Sequence, residues 1–184
     1  MASRGLKFVQ RFRVFAGFIF SVVFLVFARP TWASLGIGVG IALIGLGLRA
    51  WACGHIRKVR ELDTSGPYAY TRNPLYLGTS IIALGFGVAS GVWWLALIAF
   101  AFYVSIYFPV MNVEAEELEA LLGEEYGEYA AAVPLFFPRL TAWKKSPRRF
   151  DFQLYLKHRE YNAALGTLFV TAVLAAKAMI FNQL

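Results

Sequence analysis

Thr64-Ser-Gly-Pro-Tyr-Ala-Tyr-Thr-Arg-Asn-Pro-Leu-Tyr-Leu-Gly78 is polar and turn-rich, yet it is flanked by apolar runs too long for an ordinary soluble core. Gly66-Pro67 and Asn73-Pro74 break the backbone twice within nine residues, which is turn chemistry rather than helix or strand interior. Gly66 permits a positive φ and Pro67 fixes the next one, so the loop can hold a single shape. Tyr68, Tyr70 and Arg72 lie between the breaks, and Tyr76 stands at the mouth of the next apolar run. A rigid loop presenting tyrosines and an arginine at a membrane surface reads as a binding site.

The flanking runs set the fold class. Of 184 residues, 59% are hydrophobic and only 16% charged, against about a quarter in soluble domains. Several runs approach the ~20 residues needed to cross a bilayer. The chain is therefore expected to be an all-α integral membrane protein of one domain. About five spans are predicted, near residues 14–28, 32–53, 75–90, 92–110 and 163–181. The first reads as a span rather than a cleaved leader, because four more follow it.

Charge placement predicts the orientation. Arg4, Lys7, Arg11 and Arg13 precede the first run; Arg57, Lys58 and Arg60, opposed by Glu61 and Asp63, follow the second; Lys144, Lys145, Arg148 and Arg149 precede the last. By the positive-inside rule these mark one cytoplasmic face, with the amino terminus inside and the carboxyl terminus outside. Arg29 and Lys177 fall on the other side, with Lys177 expected to snorkel outward. The net charge of +7 is then a record of topology and of affinity for anionic headgroups. Nucleic acid is not an expected partner, since no folded basic module presents a groove-reading element.

Gly36, Gly38, Gly40, Gly45 and Gly47 in the second run lack the strand and turn of a dinucleotide motif, so close helix packing in lipid is expected. Arg49 near its end has two open readings, a functional intramembrane charge or snorkelling to the interface. The third and fourth runs meet at Ala89-Ser90-Gly91, a hairpin tip anchored by Trp93 and Trp94. Pro109 is expected to kink the fourth helix, which continues into water with Glu114 and Glu117 on one face and Leu118, Leu121 and Leu122 on another. A second short helix over 124–132 carries Tyr126 and Tyr129, and Val133–Pro138 reads as an apolar segment folded against the bilayer or over a site.

One cysteine, Cys53, precludes an intrachain disulfide, and His55 and His158 lie far apart, so no metal site is expected. There is no serine–histidine–acid set and no phosphate loop. What the two polar segments, 54–74 and 111–161, offer together is aromatic walls, glutamates and an arginine. Taken singly, each tyrosine also reads as an interfacial anchor and each glutamate as part of a solvated face.

Gly66 through Gly78, together with the order Glu114, leucine, Gly123, Tyr126-x-x-Tyr129, Val133-Pro134 and Pro138, resembles the isoprenylcysteine carboxyl methyltransferase and phospholipid methyltransferase family. The resemblance covers about a quarter of the chain. It implies an S-adenosylmethionine-dependent membrane methyltransferase with the cofactor in a cytoplasmic helical segment. The acceptor would be an amphiphilic or lipid-modified molecule entering from membrane lipid. Carried over, Arg72 and Glu114 are the catalytic candidates. Tyr68, Asn73, Pro74, Tyr76, Gly78, Glu114, Glu117, Tyr126 and Tyr129 are the cofactor-binding ones. Two positions depart from the family: Asn73 stands where histidine is usual, and Ala115 replaces the second of two adjacent glutamates, leaving Glu116 or Glu117 to substitute. An NADPH-dependent membrane reductase of the sterol type and a non-catalytic membrane protein are the alternatives. Nothing in the sequence sets an oligomeric state.

Overall fold

The computed structural model describes residues 17, 19–57, 62–144 and 148–181, and every described element is helical. The amino-terminal cations Arg4 to Arg13, the start of the first predicted span, and Lys58, Arg60, Glu61 and Lys145 lie outside the described residues. Residues 19–27 form α1. The others are α2 (Trp32–Cys53), a 3-10 turn (Gly66–Ala69), α3 (Pro74–Ala89), α4 (Trp93–Leu122), α5 (Glu124–Ala132), α6 (Phe152–Lys157) and α7 (Tyr161–Phe181).

The chain is an all-α membrane protein. Helices α2, α4 and α7 are each long and apolar enough to cross a bilayer. The expected third span is α3, at 16 residues a shorter apolar helix. Its length of about 24 Å falls short of the ~30 Å hydrocarbon core. Helix α4 runs unbroken through Pro109 for 30 residues, or about 45 Å, so its last turns project beyond the bilayer.

Helices α2 and α3 pack antiparallel along a glycine seam. A Cβ on Gly38 would lie 2.4 Å from the Gly85 carbonyl oxygen, and one on Gly45 2.6 Å from that of Gly78. The pairs recur seven residues apart on each helix, which keeps them on one face. The glycine expectation therefore holds for two of the five: around Gly36, Gly40 and Gly47 there is open space, because they lie on other faces of α2. Gly78, a cofactor-binding candidate, belongs to this seam.

At the end of the bundle away from the 54–74 loop, Phe24, Ala28, Leu35, Ala89, Leu95 and Leu174 form a core that joins five helices. The chain leaving α1 crosses the α3–α4 tip, where the Arg29 amide donates to the Ser90 carbonyl at 2.7 Å. Gly91, with φ +69°, is required there, since a Cβ would meet Arg29 O at 2.2 Å. Thr31 and Ser34 cap α2 reciprocally. Lys177 does not reach outward alone. Its ammonium donates to the carbonyls of Leu25 and Val26, which end α1.

Arg49 is held by partners on two other parts of the bundle. Its guanidinium forms a two-pronged ion pair with Glu160 just ahead of α7 (2.6 and 2.9 Å) and also donates to Thr79 Oγ1 and Leu75 O on α3. Three helices are fixed to one another at this point.

Candidate functional site

The turn that opened the sequence reading takes the shape its residues dictate. Gly66 adopts φ +56° against the His55 ring and opens a 3-10 turn with Pro67 second in it, and Pro74 occupies the first turn of α3. The loop is then stitched to the segment after α5. The Arg72 amide donates to Pro134 O at 2.9 Å, Arg139 N to Tyr70 O at 2.9 Å and Trp143 N to Ala69 O at 3.0 Å. The Thr71 hydroxyl donates to Phe136 O at 2.9 Å, and the Asn73 amide group to Leu135 O at 3.0 Å. Residues 133–143 thus lie along the loop rather than over it. Asparagine at 73 keeps a hydrogen-bonding role but supplies no titrating group.

Between this loop and the projecting end of α4 lies a cavity of about 620 Å³. That is within the usual range for small-molecule sites, roughly 300–1,000 Å³. Seven of the candidates line it: Tyr68, Arg72, Asn73, Glu114, Glu117, Tyr126 and Tyr129. Tyr76 does not, but its hydroxyl donates to Glu114 Oε1 at 2.8 Å. Pro74 is buried as the first residue of α3. Gly78 points its hydrogen at Gly45 and Arg49, on the α2 side.

The α4 face differs from the expected one. Glu114, Glu117, Leu118 and Leu121 all line the cavity, since i, i+3, i+4 and i+7 share one helix face. Glu116 does not line it, so between the two possible substitutes for the missing second glutamate only Glu117 faces inward. Ala115 lines the cavity as well, where a carboxylate is usual in the family.

The aromatic side is rigid. Tyr129 donates to Tyr68 O at 2.7 Å, its ring lies 6.2 Å from that of Tyr126, and both are almost wholly buried with Val133. Arg72 donates to the Tyr126 hydroxyl at 3.1 Å, with its guanidinium carbon 5.9 Å from the ring centre. Burial pushes the Tyr68 and Tyr129 phenols above the ordinary value, so both stay protonated donors at neutral pH. Besides Ser65 Oγ, the Tyr68 hydroxyl and Arg72 Nε are, among the described residues, buried without a hydrogen-bond partner. Both belong to residues that line the cavity, and such donors are costly to leave unmade.

Sequence reading missed Asp63, Arg57 and His158, which also line the cavity. Asp63 accepts from the Arg57 amide at 2.7 Å and from Arg148 at 3.0 Å, and His158 Nε2 lies 3.1 Å from Ile56 O. The isolated histidine carried no local signal, because its partner is 102 residues away.

Residues 33–125, half of the chain and the stretch from α2 into α5, match the phospholipid methyltransferase family. The chain belongs to that family. Two curated relatives bear names from metal resistance. The cobalt-zinc-cadmium resistance protein CzcN of Cupriavidus metallidurans is 34% identical over 62% of this chain and 53% of its own length. The nickel-cobalt-cadmium resistance protein NccN of Alcaligenes xylosoxydans xylosoxydans is 32% identical over 62% of this chain and 55% of its own. The chain thus spans about half the length of the curated relatives it matches. No solved structure matches it. Tyr126 and Tyr129 lie just beyond the family match, and the cavity is where they meet the matched residues.

Proposed function

We propose that the chain is a single membrane methyltransferase domain that transfers a methyl group from S-adenosylmethionine to a lipid or lipid-modified acceptor. The observation that carries the reading is the cavity itself. Two segments remote in sequence wall one space, and that space holds unpartnered donors, three carboxylates and tyrosine faces. This donor set suits the cofactor. Tyr68 and Arg72 have hydrogen-bond capacity to spare for its carboxylate or hydroxyls. Glu114 and Glu117 would accept from an ammonium or ribose hydroxyls, and the rings of Tyr126 and Tyr129 suit a cation. When bound, it supplies an electrophilic methyl group on a positively charged sulfur.

What the chain contributes is positioning, which does most of the catalysis in an in-line displacement. Arg72, braced by Tyr126, would orient a carboxylate acceptor that is already ionised. An amine acceptor would have to lose a proton, and Glu114 or Glu117 is placed to receive it. Leu118 and Leu121 on the cavity wall would lie against an acyl or prenyl chain. On this reading the cavity faces the cytoplasm, with the amino terminus on that side and the carboxyl terminus opposite.

A second reading comes from the relatives' names, which associate proteins like this one with resistance to cobalt, cadmium, zinc and nickel. Methylation of a membrane component would then contribute to growth under those cations.

The test is ligand-induced stabilisation followed by product analysis. S-adenosylhomocysteine should raise the melting temperature of the purified protein. With methyl-labelled cofactor, membranes should give base-labile volatile counts for a carboxyl ester, or stable lipid-phase counts for N- or O-methylation. Stabilisation by NADPH with no response to S-adenosylhomocysteine would defeat the proposal.

A further inference from the structure

The segment between Arg148 and Tyr161 is used by the cavity only along its inner edge. Contacts that hold that edge include Arg148 to Asp63, the Asp151 amide to Gly54 O at 2.9 Å, His158 to Ile56 O, and Glu160 to Arg49 and Cys53. Its outer side is left open. Phe152 and Leu156 are 60% and 46% exposed and Tyr161 is 40% exposed, while Phe150, 46% exposed, also sets its ring edge-on to His55. Arg149, Lys157 and Arg159 are exposed among them. The two acids of the segment are engaged: Asp151 caps α6 through the Gln153 amide, and Glu160 is buried against Arg49. The outward charge is therefore mainly positive, three exposed cations against the Asp151 carboxylate.

From this arrangement we infer that residues 149–161 form a docking surface for anionic phospholipid headgroups. Three observations select a bilayer as the occupant. Tyr161 is the first residue of the spanning helix α7, so Lys157 lies four residues, barely one helical turn, from a membrane segment. Exposed aromatic and aliphatic groups alternate with cations, the pattern of an interfacial element rather than of a soluble anion site. The charge is complementary to a leaflet containing anionic lipid, where each cation near the surface contributes about 1 kcal/mol, or roughly a fivefold gain in affinity. Because His158 and Arg148 join this segment to the cavity wall, headgroup charge would act on the rigidity of that wall. The inference stands apart from methyl transfer, and its test uses no turnover.

Hydrogen–deuterium exchange is measured on the full chain in nanodiscs of phosphatidylcholine alone or with one-third phosphatidylglycerol. Exchange over residues 149–161 should slow about fivefold for each engaged cation when phosphatidylglycerol is present. Exchange in α2 and α3 should stay unchanged. The variant Arg149→Gln/Lys157→Gln/Arg159→Gln should lose the difference between the lipids, and Arg149→Lys/Lys157→Arg/Arg159→Lys should keep it, since a diffuse attraction needs charge and not fork geometry. Equal exchange in both lipids would overturn the inference. So would a phosphatidylglycerol effect that persists in the triple glutamine variant, or one reproduced by inorganic phosphate in phosphatidylcholine discs.

Discussion

Tyr76 on α3 donates its hydroxyl hydrogen to Glu114 on α4 at 2.8 Å, joining two residues that stand 38 positions apart. The bond connects the loop motif to the carboxylate on the cavity wall, and the Tyr103 hydroxyl, donating to Tyr76 O, supports it from below. A charge-assisted bond to a carboxylate contributes about 1.5–3 kcal/mol. Tyr76→Phe should therefore weaken S-adenosylhomocysteine binding about tenfold or more by calorimetric titration, while the helical circular dichroism stays that of the wild type. An unaltered affinity would remove Tyr76 from the site's support.

Arg72 has the sharper expectation. Its backbone amide is used by Pro134 and one guanidinium nitrogen by Tyr126, while Nε is buried and unpartnered. Arg72→Ala keeps the backbone bond and should abolish methyl transfer while lowering the melting temperature only modestly. Arg72→Lys keeps the charge but loses the planar fork and should remain severely impaired. Wild-type rates in either variant, measured with labelled cofactor, would remove the arginine from the mechanism.

Much of this was legible beforehand because it is local or periodic. Helix α2 came out at its predicted bounds, Gly66 took its positive φ, and Gly123 ended α4 with φ +58°. The two motifs were read as one site because both fall on the same side of the hairpin between them. What escaped was long-range pairing. Nothing near Arg49 points to Glu160, 111 residues on, and Asp63 and His158 join the wall through partners distant in sequence. On α4, polarity alone separates the glutamates from the leucines, whereas their spacing puts Glu114, Glu117, Leu118 and Leu121 side by side on the cavity wall. Gly78 was read through its motif, although its seven-residue spacing from Gly85 already marked a helix seam.

That seam gives a prediction in which identical substitutions diverge. Gly38→Ala and Gly45→Ala would drive a methyl group into the backbone of α3. Each should lower the melting temperature by several degrees and loosen α2 from α3. Gly36→Ala, Gly40→Ala and Gly47→Ala meet nothing within 4 Å. Removing glycine from a helix interior is favourable by up to about 1 kcal/mol, so these three should be neutral or stabilising. Thermal scans of the five variants in one detergent would decide, and uniform behaviour would contradict the seam.

The phenols of Tyr68 and Tyr129 predict the alkaline limit. Both are raised above the ordinary value of 10.0, chiefly by burial. Their contribution to stability is therefore intact below about pH 10 and is lost as pH climbs toward the folded-state values. The wild-type melting temperature should fall above pH 10 more steeply than that of Tyr68→Phe. Parallel curves would mean that Tyr68 is not buried as described.

Arg49 and Glu160 provide the strongest test of how the carboxyl-terminal helix is held. Glu160 is 6% exposed and accepts from two guanidinium nitrogens and from Cys53 Sγ at 3.3 Å, while Arg49 also donates to Thr79 at 2.5 Å. Removing one partner strands the other charge in a poorly solvated place, which costs about 3–5 kcal/mol. Replacing both by apolar groups of similar size avoids the stranded charge. Glu160→Leu and Arg49→Met should each destabilise strongly, and the double variant should recover much of the loss. The distinction reaches the cavity as well, because Arg49 bonds to the first turns of α3, just after Asn73. A recovered double variant should thus bind S-adenosylhomocysteine more weakly than wild type although it melts at a similar temperature. Additive losses in the melting temperature would show that the two side chains act independently, against the geometry.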